Sequence, residues 1–133
     1  MSATGASTTE AIANSGLLYD GQYLTLYGAQ RVDTANITVA SIGVTVTSLP
    51  VSSGSSAHFE YIITGGGNQK RAGVVMCVWD GVVTTYTDNS TPDINGSTLP
   101  LTFYTGISGA AVLLLASSSS GTWNVKVGTR IIF

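Results

Sequence analysis

Two side chains invite a search for chemistry first: His58, the only histidine, and Cys77, the only cysteine. A hydrolase triad built on His58 would want its serine on a G-x-S-x-G elbow, and no such run occurs. Neither residue has a second His or Cys at the spacing a zinc site requires. The carboxylates are Glu10, Asp20, Asp33, Glu60, Asp80, Asp88 and Asp93. Glycoside hydrolysis needs two of them facing one another across a groove, and their spacing does not arrange that. Asp80 precedes Gly81 and reads as a turn residue. Asp88, Asn89, Asp93 and Asn95 crowd one oxygen-rich stretch, but the spacing is not that of an EF-hand, and Asx residues in turns bond their own backbone. Gly65-Gly66-Gly67 lacks the Lys-Ser/Thr pair and following helix of a phosphate loop. The residues point away from an enzyme, and no cofactor or metal is expected. His58 reads as a strand-edge or subunit-contact residue, and Cys77, inside an apolar run, as a small buried hydrophobe.

The charges say more about partners. Only 9% of the 133 residues are charged, against a usual ~25%, and the formal net charge is −2. Arg31, Lys70, Arg71, Lys126 and Arg130 form no cluster along the chain beyond one adjacent pair. Nucleic-acid binding needs a basic stripe that displaces counterions, so the sequence argues against it. Five of the six tyrosines, Tyr23, Tyr27, Tyr61, Tyr86 and Tyr104, offer faces on which sugars stack, though in a β protein such residues commonly sit half-buried on a sheet. Residues 1–15 are rich in Ser, Thr and Ala and have neither a basic region nor an apolar stretch of the signal-peptide kind. The longest apolar runs, 72–79 and 110–116, fall short of the ~20 residues a membrane helix needs. No membrane partner is expected.

Nothing along the chain sustains a helical apolar period. Val, Ile, Thr, Tyr and Phe recur in short runs broken by Gly, Ser, Asn and Asp, the pattern of a sandwich or barrel. Strands are expected at 22–27, 37–47, 59–64, 71–79, 83–87, 99–105, 110–116 and 123–132. The 37–47 strand would set Ile42, Val44 and Val46 on one face and end at Leu49-Pro50. Residues 52–56 would be a flexible joint. The run 65–68 makes a turn that permits positive φ, so 59–64 and 71–79 pair as a hairpin. A long polar loop, 88–97, would precede the 99–105 strand. Residues 1–20 read as an N-terminal arm, with one helical turn near 8–13, and residues 21–133 as the folded domain.

Two strands depart from the half-exposed pattern. Val75, Cys77 and Trp79 alternate with Val74, Met76 and Val78, so both faces of 72–79 are apolar; the same holds for 112–115. A two-layer sandwich in water buries one face of each sheet. In a chain without helices the second cover is most naturally another copy, so a homo-oligomer is expected. Phe59, Tyr61, Val75, Met76, Trp79, Leu113, Leu115 and Trp123 are the candidate core and interface residues.

From Phe59 to Ile132 the order of motifs resembles a β-domain of tailed-bacteriophage virion proteins. It runs through Phe59-Glu60-Tyr61-Ile62-Ile63, a Gly/Asn turn, Arg71-Ala72-Gly73, Trp79-Asp80-Gly81, Tyr86-Thr87-Asp88 and Ser90-Thr91-Pro92-Asp93-Ile94. It closes with a Leu/Phe strand, Gly121-Thr122-Trp123-Asn124-Val125-Lys126 and a late Arg130. The resemblance covers just over half the chain and implies an all-β fold, an antiparallel β-sandwich of jelly-roll-like type with an extended N-terminal arm, assembled as a homotrimer on a virion. It leads first to a capsid decoration (cement) protein, made in the host cytoplasm, bound to the major capsid protein and stabilising the shell by burial. Attachment by burial would depend weakly on salt. The alternative is a fibre or spike module that binds a host-surface glycan or receptor, with Tyr86, Tyr104 and the 88–97 loop exposed beside a shallow groove.

Overall fold

A computed structural model describes residues 17–19, 23–26 and 29–132, with side chains from residue 35 onward. The strands are β1 (Leu17–Tyr19), β2 (Tyr23–Leu26), β3 (Ala29–Val39), β4 (Val44–Pro50), β5 (Ser56–Gly65), β6 (Lys70–Trp79), β7 (Thr84–Ser90), β8 (Leu101–Ser108), β9 (Ala111–Ser118) and β10 (Trp123–Ile132). A single 3₁₀ turn, Val51–Ser53, follows β4. The fold is all-β, in two antiparallel sheets. One has seven strands in the order β1-β2-β3-β10-β5-β6-β7, the other three in the order β4-β9-β8. The arm and its helical turn near 8–13 lie outside the described residues. β1 falls within the stretch assigned to the arm and pairs with β2.

β10 organises the larger sheet, pairing with β3 on one side and β5 on the other. Its sequence alternates cleanly: Trp123, Val125, Val127, Thr129 and Ile131 are buried, while Asn124, Lys126, Arg130 and Ile132 face out. Strand geometry puts successive side chains on opposite faces, so this alternation fixes which side of the sheet is core. Phe59, Tyr61, Ile63, Val75, Cys77 and Trp79 extend the buried layer, and Val46, Leu49, Leu101, Phe103, Val112, Leu114 and Ala116 of the smaller sheet close over it. Each large apolar side chain so buried contributes about 1.5–3 kcal/mol. The two tryptophans fill opposite ends. The Trp79 indole N–H donates to the Val51 carbonyl at 3.0 Å and that of Trp123 to the Ser120 carbonyl at 2.9 Å, so neither polar atom is buried unmatched.

Several expected boundaries move. The 37–47 run is two strands, because the chain turns at 40–43 with Gly43 at φ 74°; Ile42 sits in that turn, 80% exposed, rather than on a face with Val44 and Val46. β7 runs on to Ser90, since hydroxyl and amide side chains suit an edge strand as well as a loop, so Asp88 and Asn89 are ladder residues paired with Val75 and Val74. β8 begins at Leu101, and Leu99 lies before it, exposed. In the β5–β6 turn the positive φ belongs to Asn68, at 64°, and not to a glycine. Gly65 is needed for space instead: a Cβ there would sit 2.7 Å from the Trp123 ring.

Candidate functional site: the outward face of the larger sheet

On the inner side, the polar groups hold the fold together. Gly73 stands directly across from Tyr61 in the β5–β6 register. A Cβ on Gly73 would lie 2.7 Å from the Tyr61 hydroxyl and 2.4 Å from the Asn89 carbonyl oxygen. Its absence lets the phenol cross β6 and donate to Asp88 Oδ1 on β7 at 2.7 Å. Phe103 of the other sheet packs on the same ring, centroids 4.4 Å apart. Burial first, then the bond to the Asp88 carboxylate, pushes the Tyr61 phenol above its ordinary pKa, so it stays a donor. Arg71, mostly buried, donates through Nε to the Tyr61 oxygen, through Nη1 to the Thr98 hydroxyl at 2.8 Å, and through Nη2 to the Leu101 carbonyl. Asp93 accepts from both the backbone N–H and the hydroxyl of Thr98. This clamp ties the connection between β7 and β8 to the sheet. It leaves Asp88 and Asp93 occupied with protein donors at different points.

The outward side is different in kind. Strand register places Lys126, Gly128 and Arg130 of β10 beside Ile62, Glu60 and His58 of β5. Those face Ala72, Val74 and Met76 of β6, and Val74, Met76 and Val78 face Asn89, Thr87 and Thr85 of β7. The result is one apolar strand, with Met76 40% and Val78 50% exposed, flanked by charged residues on one side and hydroxyls and amides on the other. A shallow hollow of ≈ 320 Å³ lies over it, bordered by His58, Met76, Val78, Thr85, Tyr86 and Thr87. A second, of ≈ 250 Å³, lies between Glu60, Ile62, Lys126 and Gly128. A Cβ on Gly128 would meet nothing within 4 Å, so the floor between Lys126 and Arg130 is open. Arg130 Nη2 is 3.5 Å from His58 Nδ1.

His58 thus stands on an interior strand, between β10 and β6, rather than at a sheet edge. Of the other residues singled out in the sequence, Phe59, Tyr61, Val75, Trp79 and Trp123 lie in the core. Met76 is on the outward face of the larger sheet, and Leu113 and Leu115 are half-buried on the outward face of the smaller one. Cys77 is buried, which raises its thiol pKa. Tyr86 borders the larger hollow, while Tyr104 lies on the smaller sheet, its hydroxyl near Gly43. Three of the basic residues, dispersed along the chain, lie on one sheet face. Lys70, Lys126 and Arg130 share the outward face, Arg31 is the backbone register partner of Arg130, and Arg71 turns inward. Linear spacing concealed this, because the shared face comes from β10 joining the sheet beside β5 and β6. The one local signal is the alternation Lys126-x-Gly128-x-Arg130.

No family model matches the chain, and no curated protein matches it by sequence. Three solved structures share part of its backbone arrangement. The tailspike protein gp49 of Acinetobacter baumannii bacteriophage Fri1, described as a capsular polysaccharide depolymerase, is 18% identical, with 80% of this chain and 18% of that chain covered at a TM-score of 0.46. The tailspike protein of Acinetobacter baumannii phage AM24 is 12% identical, with 79% and 26% covered at 0.42. That of Acinetobacter phage vB_ApiP_P1 is 14% identical, with 90% and 24% covered at 0.40. The chain therefore spans about a quarter or less of the length of these proteins.

Proposed function

We propose that this chain is a non-catalytic β-sandwich module of a tailed-phage fibre or spike, assembled as a homotrimer, whose larger sheet presents its outward face to a host-surface glycan. The sequence resemblance supplies the virion setting. The mixed character of that face carries the choice between the two readings. A cement contact that works by dry burial calls for a broad apolar patch with its polar groups pushed to the rim. Here the apolar stripe is one strand wide, and hydroxyls, amides and charges stand immediately beside it. Shallow hollows with exposed apolar side chains and interleaved hydroxyl, amide and carboxylate groups suit a polyhydroxylated ligand, which needs many hydrogen bonds and modest apolar contact.

The test is to incubate the full chain with a panel of purified bacterial surface polysaccharides, measuring both retention and polymer length. Retention of at least one polysaccharide without shortening is expected. Retention of none, together with saturable binding to undecorated phage capsids, would overturn this reading in favour of capsid cement. Shortening of the retained polymer would make the module an enzyme.

A further inference from the structure

The connection between β7 and β8 raises a wall beside the larger sheet, and backbone bonds fix it there. The Thr91 N–H donates to the Ala72 carbonyl at 2.8 Å, and Lys70 and Ile94 exchange bonds at 3.1 Å. The Thr91 hydroxyl accepts from the Ala72 N–H at 3.2 Å. Between wall and sheet lies a hollow of ≈ 440 Å³, lined by Ile62, Lys70, Ala72, Thr91, Pro92 and Ile94. It is roomier than the two hollows described above and differs from them in chemistry. Four of those six side chains are aliphatic, and Ile62 and Ile94 are 39% and 58% exposed. Arg71 borders the hollow too but turns its guanidinium inward onto Thr98, so Lys70 supplies the cation. Among the described residues that line it, none is a carboxylate.

We infer that this hollow is the subsite for an acetamido sugar of the glycan, with the acetyl methyl seated on Ile62 and Ile94 and the acetyl carbonyl accepting from the Lys70 ammonium. The inference rests on the glycan reading above and names a sugar class within it. A plain hexose presents hydroxyls on every side, and hydroxyls pressed against aliphatic walls lose water without gaining partners. A carboxylate would be worse placed, because a charge set among the same walls loses more hydration and meets one cation only. An acetamido group divides as the hollow does. Its methyl is buried by the aliphatic side chains, and the negative end of its carbonyl dipole meets the single cation in a charge-assisted hydrogen bond. The backbone bonds hold the wall in place before the sugar arrives, so little ordering is lost on binding. Ile62 also borders the hollow beside Lys126 and Gly128, so the next sugar of the polymer passes onto the open face.

The experiment measures binding of the full chain to tetra-N-acetylchitotetraose, cellotetraose and tetragalacturonate by calorimetry. The first two share length, linkage and lack of charge, and differ in acetamido against hydroxyl. Tetra-N-acetylchitotetraose is expected to bind about tenfold more tightly than cellotetraose, the difference that one buried methyl and one charge-assisted bond make. Its affinity should change little with salt, because the ligand carries no charge to screen. Lys70→Met keeps the aliphatic stem but removes the donor, and should weaken binding roughly tenfold. Ile94→Ser keeps the backbone exchange with Lys70 and should weaken binding roughly fivefold by removing apolar contact. Both variants should unfold thermally close to the unaltered chain, since neither side chain is in the core. Equal affinity for cellotetraose, or unchanged binding by the Lys70→Met/Ile94→Ser double variant, would overturn the subsite and leave the glycan reading standing. Tighter binding of tetragalacturonate would overturn the acetamido class in favour of an acidic sugar. Failure to bind tetra-N-acetylchitotetraose while the polysaccharide panel is retained would overturn the subsite alone. Failure to bind all three, with the panel also unretained, would overturn both readings.

Discussion

Gly73 shows how much one missing side chain decides. Without a Cβ it admits both the Tyr61 phenol and the Asn89 carbonyl oxygen, and the Tyr61–Asp88–Arg71 network follows from that space. Gly73→Ala should therefore destabilise the fold by about 1–3 kcal/mol, the usual cost of overpacking, measured as a lowered urea midpoint at unchanged slope. Tyr61→Phe keeps the ring on Phe103 but removes the donor to Asp88 and the acceptor for Arg71, at a cost of about 1–3 kcal/mol for the groups left unmatched. Trp79→Ala leaves a core cavity and should cost about 3–5 kcal/mol, approaching the whole stability of a small domain. By contrast His58→Ala, on an outward face, should unfold at nearly the same urea concentration. A calorimetric Trp79→Ala midpoint equal to that of the unaltered chain would contradict the buried position of its ring.

At the scale of elements, the connection between β7 and β8 is the instructive case. Its polar composition reads as an exposed loop, yet the structure pins it at several points. Lys70 and Ile94 exchange backbone hydrogen bonds, both at 3.1 Å, and Asn95 Nδ2 donates to the Asn68 carbonyl at 3.0 Å. The Thr98 hydroxyl and then its backbone N–H hold the Asp93 carboxyl below its ordinary pKa. A carboxyl depressed in the folded state stabilises it above the unfolded value, about 3.9 for Asp, and loses that contribution as pH falls through the folded one. Amide-exchange protection at Thr98 and Ile94 should accordingly fall as pH drops below about 4. Asp93→Asn should lower it at neutral pH and remove this acid dependence. An Asp93→Asn chain with unchanged protection would mean that the carboxylate does not hold the loop. The hairpin β5–β6 and the strand β10 were legible in the sequence because period-2 alternation and a Gly/Asn turn are local signals. The latch was not, because Arg71 reaches Thr98 and Leu101 only after β6 and β8 are brought together by packing. The shared outward placement of Lys70, Lys126 and Arg130 was hidden for the same reason: it depends on strand order, which alternation does not encode.

At the scale of the whole molecule, the doubly apolar strands of the sequence acquire separate meanings. The second face of β6 is the narrow stripe Val74, Met76 and Val78, set among the charges and hydroxyls of the proposed ligand face. The second face of β9 is Leu113 and Leu115, half-buried on the outside of the smaller sheet. There Tyr104 is the cross-strand partner of Leu115 and Gly106 that of Leu113, and a Cβ on Gly106 would touch Leu115 at 3.6 Å. If the larger sheet is kept for ligand, the copies of a trimer must meet through the smaller one, where apolar side chains adjoin without a charged neighbour in register on β8 or β4. A carboxylate placed there would be buried unpaired on assembly, which costs several kcal/mol, but would remain hydrated in a lone chain. Leu113→Glu and Leu115→Glu should thus dissociate the trimer into folded monomers, seen by light scattering at micromolar concentration with a β-type circular dichroism spectrum retained. Met76→Glu should leave the trimer intact and instead weaken retention of the surface polysaccharide. A stable monomer for the unaltered chain would sink the trimer itself, and dissociation by Met76→Glu with Leu113→Glu still trimeric would move the subunit contact onto the larger sheet and displace the ligand from it.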